Sequence, residues 1–353
     1  MLTLEKINKK AGNFSLAHID FTVDKGDYFT LIGESGAGKS MLLEIITGLL
    51  IPDSGNIYLN QKNILNTPPQ KRNIGIVYQK PTLFPHMSVF ENIAYPLKIR
   101  KYSKEQIKSK IQILAEETEI THILKRNINN LSGGEIQRVT IARTLATNPD
   151  ILLLDEPLSF LDVQLKKGML SLLRKLNQNG QTIIHVTHDY EEAIALTNKT
   201  AIIENGKIIQ SGTPQEVFQN PKSAFVANFI GISNFFKGHL RLSEENSALK
   251  IFETSGIKIF ISSNEEIYAD GYIIIPSETI AISDEKLDSS EVNNFHGIIK
   301  DIYQTKSGME VIVDIGIDIT AKITNYSSDR FQLTIGKKVR ISFEASSITF
   351  VRN

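Results

Sequence analysis

The chain runs to 353 residues, 41% of them hydrophobic, with 39 Lys and Arg balanced by 39 Asp and Glu and with no cysteine. Such a length exceeds what one hydrophobic core usually serves, so two domains are expected, and the missing thiols exclude disulfides, thiolate metal sites and a cysteine nucleophile. Charge neutrality argues against a broad nucleic-acid footprint, which shows as a basic excess.

The opening MLTLEKINKK lacks the apolar core of a signal peptide. The apolar runs, such as the one near Gly271 that Pro276 breaks, are too short for a membrane helix. A soluble chain is expected, with any membrane role supplied by a partner. In chain order, residues 28–32 read as a buried strand, and Gly33-Glu34-Ser35-Gly36-Ala37-Gly38-Lys39-Ser40 leads from it into a helix over 39–49. After a strand at 74–78 comes a segment of helical periodicity over about 80–131, with a helix at 104–117, which reads as a helical insertion. Helices over 134–147, 163–179 and 190–197 alternate with buried strands over 151–154 and 182–186. Buried strands interleaved with helices imply an α/β domain over 1–231 with a largely parallel sheet.

From 232 to 353 the texture changes to short β-branched runs separated by Asn, Ser and Gly. An internal echo runs through this half: Phe236-Lys237-Gly238 opens one unit and Phe295-His296-Gly297 another, and IIIPSETIAIS matches ISFEASSITFV at their ends. Two copies of a small β-barrel unit are predicted.

A glycine-rich turn between strand and helix is the setting of a phosphate-binding loop, because glycines let backbone N–H groups close on phosphate and the helix N-terminus adds positive potential. In it Lys39 is expected to bridge the β- and γ-phosphates of ATP and the Ser40 hydroxyl to ligate Mg²⁺. Asp155 and Glu156 end the run ILLLD at the carboxyl end of the sheet, where ligands of such sheets bind. Asp155 is expected to hold Mg²⁺ through water, and Glu156 to polarise the attacking water as general base. His188, just past the strand at 182–186, is the third candidate; a histidine there is commonly structural, but its place in VTHDYEEA after the other motifs favours catalysis. The remaining histidines, His18, His86, His122, His185, His239 and His296, have no such setting and are assigned no role.

With these motifs in this order, residues 1–231 resemble the ATP-binding cassette (ABC) transporter ATPases. Leu131-Ser132-Gly133-Gly134-Glu135-Ile136-Gln137-Arg138 matches the family's signature, which implies a helix N-terminus contacting the γ-phosphate held by another subunit. The resemblance therefore implies a head-to-tail homodimer with ATP at the interface. It also implies that Gln79 reaches Mg²⁺ and senses a membrane permease, that Asp162 belongs to the D-loop between subunits, and that His188 contacts γ-phosphate. Where the family stacks an aromatic ring on adenine this chain has Ala11, with Phe14 the nearest aromatic, and adenine stacking and a core contact are equal readings of Phe14.

The doubled β segment resembles the regulatory domain of importer ATPases, and the texture is most like the molybdate/tungstate group. The implied role is to hydrolyse ATP in an importer, peripheral to the cytoplasmic face of the membrane, with permease subunits and indirectly a solute-binding protein as partners and no nucleic acid. In that group two cations of the C-terminal domain hold oxyanion; here Ser290-Glu291-Val292-Asn293 and Glu344-Ala345-Ser346 stand in their places, with Val292 and Glu344 replacing both. Oxyanion sensing is expected to be lost or altered, since Glu344 repels a dianion. Sulfate, iron, polyamine or sugar stay open as solutes, and a soluble non-transport ATPase is the alternative from another class.

Overall fold

A computed structural model describes residues 1–242, 249–263, 268–283, 292–305, 308–324 and 331–352. They form two compact units, Met1–Val217 and Phe218–Asn353.

The first unit holds a six-stranded sheet in the order β10 (Lys207–Gly212), β9 (Lys199–Glu204), β3 (Tyr28–Ile32), β8 (Thr182–Thr187), β7 (Ile151–Asp155) and β6 (Ile74–Val77). Neighbours from β9 to β6 are parallel, and β10 returns antiparallel to β9. Every residue of β3, β7 and β8 is buried, which explains why these strands read as mainly apolar runs, with Thr30 and His185 among the buried polar exceptions: both faces of the sheet are covered. On one face lies α1 (Lys39–Thr47) together with a four-stranded antiparallel sheet ordered β2 (Phe14–Val23), β1 (Leu2–Ala11), β4 (Ser54–Leu59), β5 (Lys62–Asn63). On the other, α5 (Val163–Gln178) presents Met169, Leu172, Leu173 and Leu176 to Leu152, Leu154 and Ile183.

Helices α2 (Val89–Ile99), α3 (Lys104–Glu117) and α4 (Gly133–Leu145) enclose a core of their own. Each begins on a capping box, formed by Ser88 with Glu91, Ser103 with Gln106 and Ser132 with Glu135. The short helix α6 (Tyr190–Leu196) follows β8 and starts on Asp189. No helix among the described residues is long and apolar enough to cross a membrane.

In the second unit the described strands are β11 (Phe235–Leu242), β12 (Lys250–Thr254), β13 (Ile257–Ile261), β14 (Asp270–Ile274), β15 (Ala281–Ser283), β16 (Asn293–Thr305), β17 (Gly308–Asp314), β18 (Asp318–Ile323), β19 (Lys338–Phe343) and β20 (Thr349–Arg352). They build two five-stranded antiparallel sheets, ordered β13-β12-β11-β14-β20 and β15-β19-β16-β17-β18. The internal echo is therefore a structural duplication with an exchange: β15, the end of the first copy, joins the second sheet, and β20, the end of the second copy, joins the first. Both sheets feed one core, which unites Phe252, Ile273 and Ile261 with Val311, Ile341 and Phe343. Gly238 and Gly297 mark equivalent crowded positions, since a Cβ would stand 2.1 Å from Glu253 O at the first and 2.5 Å from Val313 Cγ1 at the second.

Candidate functional site

The loop between β3 and α1 admits no other residue at two glycines. A Cβ on Gly33 would lie 2.3 Å from Ile203 O, and Gly38 combines φ 101° with contacts of 2.6 and 2.7 Å to Leu16 and Phe14. Gly38 caps α1 without a side-chain hydrogen bond, and the first turn holds no acidic residue. Its N–H groups and dipole are thus left to an anion. Within the same loop Glu34, Ser35 and Gly36 are exposed and Ala37 is buried.

Lys39 folds back into the loop, its Nζ donating to the Gly33 and Glu34 carbonyls at 2.8 Å each and standing 3.8 Å from Glu156 Oε1. Burial lowers its pKa, and the Glu156 and Asp155 carboxylates offset that only in part. Ser40 Oγ donates to Asp155 Oδ1 at 3.2 Å, while burial raises the Asp155 pKa against that bond. Ser40, Asp155 and the Gln79 amide supply oxygen donors of the kind a hard divalent cation takes. Among the described residues no cluster of three or more His, Asp or Glu forms a metal cage.

Glu156 leaves β7 at φ 44°, an unusual conformation for a non-glycine residue, with its N–H donating to Val186 O at 2.9 Å. This turn aims the carboxylate across the loop. Its Oε2 accepts from Gln79 Nε2 at 3.0 Å and lies 3.3 Å from His188 Nδ1. The structure thus brings Lys39, Ser40, Gln79, Asp155, Glu156 and His188 together. Phe14 is half-buried in the core beside Gly38, beneath the loop, and Ala11 is exposed across the hairpin from it.

The signature residues lie elsewhere on the unit. Ser132 and Gly133 are exposed, and a Cβ on Gly133 would meet nothing within 4 Å. Glu135 is tied back to the Ser132 N–H at 2.7 Å, which with Arg126 and His122 nearby keeps its carboxyl below the usual range. Gly134 is buried against Leu165. Asp162 caps α5 through the N–H groups of Gln164 and Leu165, flanked by exposed Phe160 and Val163.

Two features escape a reading of the sequence. Arg72 is buried without a carboxylate partner among the described residues; it donates to the carbonyls of Ile45, Ile46, Leu65 and Thr67 at 2.8–2.9 Å and so closes the C-terminal end of α1. His185, assigned no role above, is fully buried, with its Nδ1 3.0 Å from the Tyr28 hydroxyl and its Nε2 3.4 Å from Glu192.

In the second unit Ser290 and Glu291 lie outside the described residues. Val292 is exposed, and Asn293 is buried with both amide atoms bound to the Phe260 backbone, at 2.7 and 2.8 Å. Ser346 Oγ donates to Glu344 Oε2 at 2.9 Å, so the hydroxyl serves that carboxylate.

A crowded glycine loop opening a helix, a buried lysine and two carboxylates at the strand end define a P-loop ATPase cassette. The family described as ABC transporter matches residues 16–159, and the TOBE domain matches residues 289–350. The molybdate/tungstate import ATP-binding protein WtpC of Thermococcus kodakarensis is 42% identical over 303 residues, covering 85% of this chain and 88% of that one. The spermidine/putrescine import ATP-binding protein PotA of Thermotoga maritima is 38% identical over 315 residues, 86% and 85% of the two chains. Among solved structures, a dimeric ATP-binding cassette in a post-hydrolysis state bound to ADP and Pi aligns with TM-score 0.55 and 31% identity, over 61% of this chain and 99% of that one. This chain belongs to the ATP-binding subunits of importer-type ABC transporters. It is an ATPase.

Proposed function

We propose that the site between β3, β7 and β8 binds ATP with its phosphates in the Gly33–Ser40 loop. Lys39 leaves the loop carbonyls for the β- and γ-phosphates, and Ser40, Gln79 and Asp155 hold Mg²⁺, whose charge offsets that of the phosphates. Glu156 takes the proton of the attacking water, and His188 contacts the γ-phosphate. The observation that carries this reading is the convergence of Gln79 and His188 on Oε2 of Glu156, with Lys39 on its other oxygen.

The exposed Ser132 and Gly133 leave the signature without a ligand-facing partner in its own site, and a head-to-tail homodimer supplies one: each α4 N-terminus meets the ATP of the other subunit. Phe160 and Val163 beside Asp162 give that dimer an apolar edge. A cavity of about 480 Å³ lined by Phe84, Tyr95, Pro96 and Arg143, next to the Gln79 segment, is the seat for the permease at the cytoplasmic face of the membrane. The solute, delivered by a solute-binding protein, is an oxyanion of the molybdate/tungstate class, which similarity to the WtpC protein supports. Similarity to PotA keeps a polyamine as the second reading. The domain over 232–353 does not hold oxyanion tightly through Asn293 and Ser346, whose polar atoms already serve other groups.

ATP turnover by the reconstituted transporter separates these readings. Stimulation by a molybdate-loaded solute-binding protein supports the oxyanion, and stimulation only by a spermidine-loaded one replaces it with the polyamine.

A further inference from the structure

We propose that Lys166 and Glu192 are positioning residues that seat His188 and couple its place against Glu156 to helix α5, which begins at Asp162. The proposal rests on the catalytic reading of His188 given above. Both chain neighbours of His188 are tied into one cluster. Thr187 Oγ1 donates to Glu192 Oε2 at 2.7 Å and accepts from the Asp189 N–H at 3.0 Å. Lys166 Nζ donates to Asp189 Oδ2 at 2.5 Å and lies 2.7 Å from Glu192 Oε1. His185 and Tyr28 close the cluster from inside the sheet. His188 itself belongs to none of these bonds and is free to face Glu156.

The cluster's far end is anchored at the start of α5. Asp162 caps this helix, and the Lys166 N–H donates to Asp162 O at 2.8 Å in the first turn. A shift of Asp162 or of its exposed neighbours Phe160 and Val163 therefore carries the Lys166 stem with it. Glu192 is 4% exposed and stands 3.4 Å from the fully buried His185. Apolar side chains of similar size often stabilise such a place as well as an ion pair does, so stability alone gives little reason for the charges. Fixed orientation of the residues on each side of His188 gives a direct one. Two packed elements that move together are the physical basis of coupling between distant groups.

The test uses the full-length protein and compares Lys166→Met, Lys166→Arg, His188→Ala and the double variant Lys166→Met/His188→Ala. Lys166→Met is expected to lower kcat about tenfold with KM for ATP changed less than about twofold, the pattern of an interaction felt in the transition state. Lys166→Arg restores kcat to within about threefold, and Lys166→Met costs nothing further in the His188→Ala background, because both changes act through one group. Multiplying losses in the double variant, or unchanged kcat with only a lowered Tm, would overturn the proposal. Full turnover by His188→Ala would instead remove the catalytic reading beneath it. Should Lys166→Met fail to fold, Asp189→Asn cuts the same link on the loop side: loss of kcat supports the proposal and wild-type kcat rejects it.

Discussion

His188 Nδ1 stands 3.3 Å from Oε2 of Glu156, and this separation places the histidine on the oxygen that Gln79 also reaches. A carboxylate so flanked keeps one oxygen directed by neighbours and the other toward Lys39. Glu156→Gln keeps the shape and removes the basicity. Turnover is expected to fall by ~10²–10⁴, the usual contribution of a positioned base. ATP should then hold the variant as a dimer in size-exclusion chromatography. Turnover within about twofold of the parent would take the base role from Glu156.

Arg72 holds the end of the helix whose beginning is the proposed phosphate site. Burial lowers its pKa, yet four carbonyl bonds keep the guanidinium in place. Arg72→Met should strand those carbonyls and destabilise the first unit by about 2–3 kcal/mol, seen as a lower Tm. An unchanged Tm would show that water satisfies them equally well.

Phe14 touches the position a Cβ of Gly38 would take, which favours the core reading of its ring. Phe14→Ala is expected to cost about 1–2 kcal/mol of stability, less than a fully buried ring. ATP affinity should change by less than about threefold, whereas loss of a stacked base is worth ~1–3 kcal/mol of binding. Weaker binding at constant Tm would move the ring onto adenine.

Burial alone would push the Glu192 carboxyl up, but His185, Lys166 and Thr187 outweigh it and hold it down at about 2. A carboxyl whose folded pKa lies below its unfolded one stabilises the fold above the unfolded value and loses that contribution as pH falls toward the folded one. The window here runs from about 4.5 down to about 2. Lys166 is shifted up despite burial, by Asp189 and Glu192, so its contribution is complete at neutral pH and fades only above its ordinary range. Tm measured from pH ~7 to ~3 should fall more steeply for the parent than for Glu192→Gln. Parallel curves would remove Glu192 as the titrating group.

The parallel sheet was legible because both its faces are covered, leaving β3, β7 and β8 as mainly apolar runs. The phosphate loop was legible because glycines at such turns have steric reasons that composition displays. The antiparallel sheet was not. Register shifts between Leu4 and Lys9 and positive φ at Lys6 and His18 break the two-residue alternation that marks a half-buried strand. His185 meets Tyr28 across 157 residues, and no local spacing announces that pairing. Arg72 binds backbone carbonyls, which every residue carries, so its partners leave no trace in side-chain pattern.

The exchange of β15 and β20 makes the duplicated half of the chain reciprocal rather than modular. Severing the backbone between Ser283 and Val292 would yield two fragments, each carrying the last strand of the other's sheet. Neither copy could be excised, shortened at its end or replaced by an unrelated unit without leaving an unpaired edge on its twin.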